Sequence, residues 1–207
     1  MVFTGIVQST GIVKKIIKKE GSIILEVESS HEFLLDLQLG ASVCVDGVCL
    51  TVTSINGNRI KFDLILETLR STTFDQVEVS DEVNLERSMK LGDEFGGHVL
   101  SGHVSEAISV EKITKSKNNY LLTFKASTEI MRYIFPKGYI AINGVSLTVG
   151  NVFRKMNLFD VHLIPETLNR TNLSKKVVGD LINMEIDSQT RNTVDTITQI
   201  TKENINA

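Results

Sequence analysis

Gly40 to Val52 reads GASVCVDGVCLTV, and Gly138 to Val149 reads GYIAINGVSLTV. An offset of 97 brings Gly47 onto Gly144, Cys49 onto Ser146, Leu50 onto Leu147 and Thr51 onto Thr148. Each stretch sets an Asp-Gly or Asn-Gly pair between two runs of apolar and β-branched residues, which is the pattern of a hairpin with a two-residue turn. The same offset lays Gly5, Ile6 and Val7 on Gly102, His103 and Val104. Further on it becomes 99, so that Glu67, Thr68 and Leu69 meet Glu166, Thr167 and Leu168, and Asn84 to Glu86 meet Asn183 to Glu185. A longer turn at 153–157 than at 56–58 accommodates the change. Four separated blocks in register make the chain an internal duplication, with its boundary near Gly96 and Gly97.

Within a half, Ser22 to Glu28, Ala41 to Val45, Cys49 to Ile55 and Arg59 to Leu66 are short, rich in Val, Ile and Thr, and separated by Gly, Asn or Asp turns. Strands at this spacing predict small antiparallel barrels. Helix is expected only in short pieces near 31–37 and 128–134, and in the tail. There Val194, Ile197, Ile200 and Ile205 form an apolar stripe, with Asp187 or Ser188 to cap its start. Such a helix either folds back on its own barrel or joins subunits. The expected division is 1–97, 98–187 and 188–207.

The chain has 207 residues, 42% of them hydrophobic and 23% charged, which suits a soluble globular protein. No run approaches the roughly 20 apolar residues of a membrane span. The N-terminus lacks a basic segment followed by a long apolar core, so a cytoplasmic location is expected. Twenty-two basic and 25 acidic residues leave a net charge of −3, and no field to draw nucleic acid. The cluster Lys14, Lys15, Lys18 and Lys19 carries no aromatic residue for stacking bases and reads as a solvated strand end. Cys44 and Cys49 would face each other across a turn at Asp46 and Gly47. A disulfide is conceivable there, and reduced thiols are the expectation in a cytosolic protein.

The histidines are His31, His98, His103 and His162. His98 and His103, five apart, make a poor chelating pair in either a strand or a helix, so no metal site is expected. No GxGxxG or P-loop is present. What remains is a set of small polar groups at equivalent places in the two halves. Cys49 with Thr51, and Ser146 with Thr148, alternate along a strand and so share a face. Glu67 and Thr68, like Glu166 and Thr167, stand at the ends of neighbouring strands. Any one of them alone reads as a turn cap or an edge hydroxyl. Their joint repetition points to two related pockets, which suits a reaction that consumes two copies of one substrate.

The phrases FTGIV, GASVCVDGVCLTV, GDEFGGHVLSGHV, KGYIAINGVSLTV and HLIPETLNRT, in that order, resemble riboflavin synthase from Phe3 to about Asp195. The resemblance implies an all-β protein of two homologous six-stranded Greek-key barrels with a C-terminal α-helix that builds a homotrimer. It implies no metal or redox cofactor, and an active site between the N-terminal barrel of one subunit and the C-terminal barrel of its neighbour. Two molecules of 6,7-dimethyl-8-ribityllumazine would dismutate to riboflavin and 5-amino-6-(D-ribitylamino)uracil, with lumazine synthase a candidate partner. Substrate contacts in the first barrel would come from Gly5, Ile6, Val7, Cys49, Leu50, Thr51, Asp63, Leu64, Ile65, Leu66, Glu67 and Thr68. Those in the second would come from Gly102, His103, Val104, Lys137, Ser146, Leu147, Thr148, His162, Leu163, Ile164, Pro165, Glu166 and Thr167. His103, Ser146 and Thr148 would handle protons, Cys49 or Ser146 would add to the acceptor ring or guide water to it, and Asp187 would stand near the second barrel. Val2 adds a residue before the FTG phrase, and Asn143 stands where some members have Asp. The lumazine-binding fluorescent antenna proteins of luminous bacteria offer a non-catalytic alternative. In them the SGH phrase is altered and one barrel loses its pocket, whereas Ser101, Gly102, His103, Ser146 and Thr148 are all present here. A flavin-binding reductase barrel would need a partner domain for which the chain has no room.

Overall fold

The computed structural model describes residues 2–116 and 119–205, without the side chain of Ile205. The first half contains β1 (Ser9–Lys19), β2 (Ser22–Glu28), α1 (His31–Leu34), β3 (Ser42–Val45), β4 (Val48–Asn56), β5 (Arg59–Ile65), α2 (Leu66–Ser71) and β6 (Glu82–Arg87). The second repeats it as β7 (Glu106–Ser116), β8 (Asn119–Lys125), α3 (Thr128–Met131), β9 (Tyr139–Ile142), β10 (Val145–Phe153), β11 (Leu158–Leu163), α4 (Pro165–Arg170) and β12 (Leu181–Ile186). The tail is α5 (Ser188–Ile205). Each half closes into a six-stranded antiparallel barrel, in the order β1-β2-β5-β4-β3-β6 and its equivalent. Closure leaves no free sheet edge.

The hairpin turns form as their sequences dictate. Asp46 and Gly47 have φ of 44° and 83°, Asn143 and Gly144 of 44° and 76°, the left-handed pair that a two-residue turn requires. Period-two alternation then sends Val43, Val45, Val52, Ile60, Phe62 and Leu64 into the first core. Ile140, Ile142, Val149, Phe159 and Val161 enter the second. Register shifts in β1, β4, β7 and β10 bend the strands enough to close barrels this small. The short helices plug the barrel ends: Ser30 and Ser127 accept from Phe33 N and Ile130 N, and bury Phe33, Leu34, Ile130 and Met131.

The barrels meet across an internal dyad. Gly47 and Gly144 touch, and a Cβ on either would come within 3.0 Å of the other's backbone nitrogen. Several bonds come in equivalent pairs: Asn84 Nδ2 donates to Asn143 O and Asn183 Nδ2 to Asp46 O, while Thr73 N donates to Asn183 Oδ1 and Asn172 N to Asn84 Oδ1. Phe3, Cys44, Leu100 and Ala141 form a small apolar cluster, sealed by the Phe3–Leu100 bridge. Cys44 and Cys49 stand opposite each other across their turn and are not joined by a disulfide.

Four elements differ from the sequence expectation. Residues 66–71 and 165–170 are helices rather than strand ends, and α1 and α3 stop earlier than 37 and 134. At α2 and α4 no side chain caps the N-terminus. The turn is instead fastened at its far end, where Thr72 Oγ1 donates to Thr68 O and Thr171 Oγ1 to Thr167 O.

Candidate functional site

The polar groups singled out by the repeat sit on β4 and β10. Leu50 and Leu147 turn into the cores, Cys49 and Ser146 are half-buried, and Thr51 and Thr148 are exposed on the same face as they are. The neighbouring strands add Asp63 and Ile65 on one side, His162 and Ile164 on the other, all exposed. Leu64 and Leu163 point inward, so only their backbone can reach a ligand from that face. Leu66, Glu67 and Thr68, and Pro165, Glu166 and Thr167, lie in α2 and α4 at the two mouths, where Glu166 pairs with Arg170. Lys137 is exposed and left-handed, with φ of 67°.

The segments before the first strand of each half exchange barrels. Gly5 O accepts from Ser146 N at 2.8 Å, and Gly102 O accepts from Cys49 N at 2.9 Å. Val7 packs in the second core, and Val104 packs against the first. Gly5, Ile6 and Val7 therefore belong with Ser146, and Gly102, His103 and Val104 with Cys49, the reverse of the sequence grouping. The glycines make this possible. Both adopt positive φ, and a Cβ on Gly5 or Gly102 would lie 2.5 or 2.6 Å from the Cβ of Ser146 or Cys49. Two carboxylates clamp the crossing segments: Glu86 accepts from Thr4 N, Thr4 Oγ1 and Gly5 N, and Glu185 from Ser101 N, Ser101 Oγ and Gly102 N. Burial raises both acids above the ordinary carboxylate range against the pull of those donors.

The two polar clusters are alike in frame and unlike in chemistry. At the first, burial pushes the Cys49 thiol up, opposed by a bond from Ser42, so the sulfur stays protonated at neutral pH. At the second, His98 Nδ1 lies 2.6 Å from Ser146 Oγ. Burial lowers the His98 pKa, while the nearby Asp187 carboxylate raises it. Asp187 itself caps α5, accepting from Thr190 N and Oγ1 at 2.9 and 2.7 Å. His98 thus lies beside Ser146, and the segment of Gly102 and His103 beside Cys49. A cavity of about 490 Å³ opens elsewhere, beside the dyad, lined by Asp46, Phe74, Glu82, Asn172 and Lys175 and by none of the expected site residues.

A family model described as the lumazine binding domain matches twice, at residues 4–88 and 101–187. The riboflavin synthase of Escherichia coli strain K12 is 48% identical over 199 residues, covering 96% of this chain and 92% of that one. That of Chlamydia pneumoniae is 46% identical over 198 residues, covering 96% of each. The chain belongs to the riboflavin synthase family. Among solved structures, LumP complexed with 6,7-dimethyl-8-(1'-D-ribityl) lumazine superposes with a TM-score of 0.81 at 28% identity, covering 89% of this chain and 98% of that one. LumP complexed with riboflavin superposes at 0.82 and 29%, with the same coverage. Membership of the riboflavin synthase family makes the protein an enzyme and accounts for the duplicated barrel. Sequence reasoning missed His98, Ser42, Glu86 and Glu185 as parts of the site. The glutamates left a trace as members of the aligned blocks Asn84 to Glu86 and Asn183 to Glu185, Ser42 as a member of the block from Gly40 to Val52, and His98 within GDEFGGHVLSGHV.

Proposed function

We propose that the chain dismutates two molecules of 6,7-dimethyl-8-ribityllumazine into riboflavin and 5-amino-6-(D-ribitylamino)uracil by transfer of a four-carbon unit. The atoms of two lumazines equal those of the two products, so no net oxidant or reductant is consumed. The observation that carries this reading is the pair of equivalent polar clusters, around Cys49 and around Ser146, that share one backbone frame and differ in chemistry. Donor and acceptor are the same compound but undergo opposite chemistry, and two unequal pockets suit that need. The donor's 7-methyl group loses a proton, the carbanion is delocalised into its ring, and it attacks the activated acceptor. His103, Ser146 and Thr148 are placed to handle protons. Cys49 acts as a hydrogen-bonded thiol beside Ser42 rather than as a standing thiolate, and Asp187 biases the second pocket electrostatically. Holding two rings face to face supplies much of the acceleration.

Each pocket is open in the single chain, with Ile6, Ile65, Leu66 and Ile164 exposed around the mouths. The first barrel of one copy is taken to close over the second barrel of a neighbour, in a cytoplasmic homotrimer with lumazine synthase as a candidate partner. Residues 1–97, 98–187 and 188–207 serve as the working units. The likeness to LumP supports a second reading, binding of lumazine or flavin without turnover. Incubation with the lumazine and a chelator separates the readings by following absorbance. Riboflavin accumulates under the first reading, and bound, unchanged lumazine contradicts it. Turnover lost on chelation and restored by a metal would overturn the cofactor-free mechanism.

A further inference from the structure

His98 is only 5% exposed, although it stands at the edge of a pocket. Its Nδ1 faces Ser146 Oγ, and its Nε2 is buried with no hydrogen-bond partner among the described residues. The ring stacks on Tyr139, with centroids 5.1 Å apart and planes at 15°, and Tyr139 lies on β9 directly opposite Thr148. Backbone contacts fix its base. His98 N donates to Thr4 O at 3.1 Å, and Gly97 is so close that a Cβ there would lie 1.9 Å from Thr4 O and 3.1 Å from Ser146 Oγ. The repeat places Met1 at the equivalent position in the sequence, and Ser42 at the equivalent of Tyr139.

Two tautomers are open to a neutral imidazole. With the proton on Nε2, a buried N–H is orphaned; with the proton on Nδ1, only a lone pair is. Orphaned buried N–H groups are the rarer and costlier kind. The second tautomer has a consequence for Ser146. Its oxygen then accepts from His98, and its own hydrogen must point elsewhere, into the open side of the pocket.

We propose that His98 is a positioning residue which, by donating from Nδ1 to Ser146 Oγ, fixes the Ser146 hydroxyl as a hydrogen-bond donor to a carbonyl oxygen or ring nitrogen of the bound heterocycle. The identity of the heterocycle rests on the function proposed above; the hydrogen-bond direction does not. The groups that face the ring are Tyr139 from β9, Ser146 from β10 and Asp187 at the start of α5. Burial holds the imidazole below its usual pKa and so keeps it neutral at physiological pH.

Two measurements on the full-length protein test this. Long-range ¹H–¹⁵N spectra of the imidazole-labelled protein should show His98 neutral at pH 7.5 with the proton on Nδ1; a proton on Nε2 overturns the proposal. In turnover assays, His98→Ala and His98→Gln should lower kcat by about tenfold or more with little change in KM. His98→Asn should recover most of the loss, because its amide nitrogen falls near the place of Nδ1. His98→Ala should add nothing to Ser146→Ala in the double variant. Equal loss in the Asn and Gln variants, or additive losses in the double variant, would assign His98 a merely structural role. If His98→Ala fails to fold, the spectra of the wild-type protein still decide. If the wild type fails to convert the lumazine, the proposed function falls while the tautomer remains measurable.

Discussion

At the scale of single residues, backbone contacts hold the polar groups of the proposed site in place. Ser146 and His103 occupy different pockets, so each variant should damage a different half of the reaction. Ser146→Ala and His103→Gln are expected to slow turnover by roughly 100-fold, while lumazine still binds by fluorescence titration. Loss of binding instead of turnover would make them mere anchors. Gly5 is equally exposed to test, because a Cβ at φ of 77° would lie 2.5 Å from the Ser146 Cβ. Gly5→Ala should lower Tm and turnover together, and a neutral Gly5→Ala would contradict the close crossing. Cys49 and Ser146 were legible in the sequence because the repeat aligned them. The exchange of Gly5 and Gly102 was not, since two equivalent segments look the same in an alignment whichever barrel each one enters. His98 escaped notice because five-residue spacing from His103 spoke only against chelation; its contact with Ser146 spans 48 residues.

At the scale of elements, the dyad is nearly symmetric, and Asp46 is an informative ionisable exception. Asn143 and Asp46 occupy equivalent turns. Burial raises Asp46 to about 7, although Asn84 N and Asn172 Nδ2 both donate to it. Its folded pKa lies above the unfolded value, so its stabilising contribution is complete below about pH 4 and is lost as pH rises through 7. Asp46→Asn, which copies the other half, should therefore be more stable than wild type at pH 8 by about 4 kcal/mol, or roughly 10 °C in Tm. The two proteins should converge at pH 4. A difference that is constant across this range would contradict a charged, buried Asp46. The hairpins that make this dyad were readable from Asp-Gly and Asn-Gly alone. The helices α2 and α4 were not, because Leu66 to Ser71 and Pro165 to Arg170 follow β5 and β11 almost without a break. They are closed by the Thr72 and Thr171 hydroxyls rather than by a cap in the sequence.

At the scale of the molecule, the tail folds back on its own barrel over part of its length. Val194 packs against the second barrel, and Tyr133 and Arg132 tie Asp195 down, yet Ile197 and Ile200 remain 59% and 52% exposed. Ile205, the last residue of the expected stripe, has its side chain outside the described residues. A chain ending near Asp187 should sediment as a smaller species and lose activity; an unchanged oligomer would remove α5 from assembly. The isolated half 1–97 lacks His103 and the segment that covers Cys49, so it should bind lumazine or riboflavin without converting it. The central claim is that each turnover needs a first-barrel pocket and a second-barrel pocket from neighbouring copies. Mixing His103→Gln and Ser146→Ala proteins under conditions of verified subunit exchange tests it directly. Random assembly in a ring should restore about a quarter of wild-type activity, since some junctions then pair two intact pockets. Activity that stays at the average of the two variants would contradict the claim.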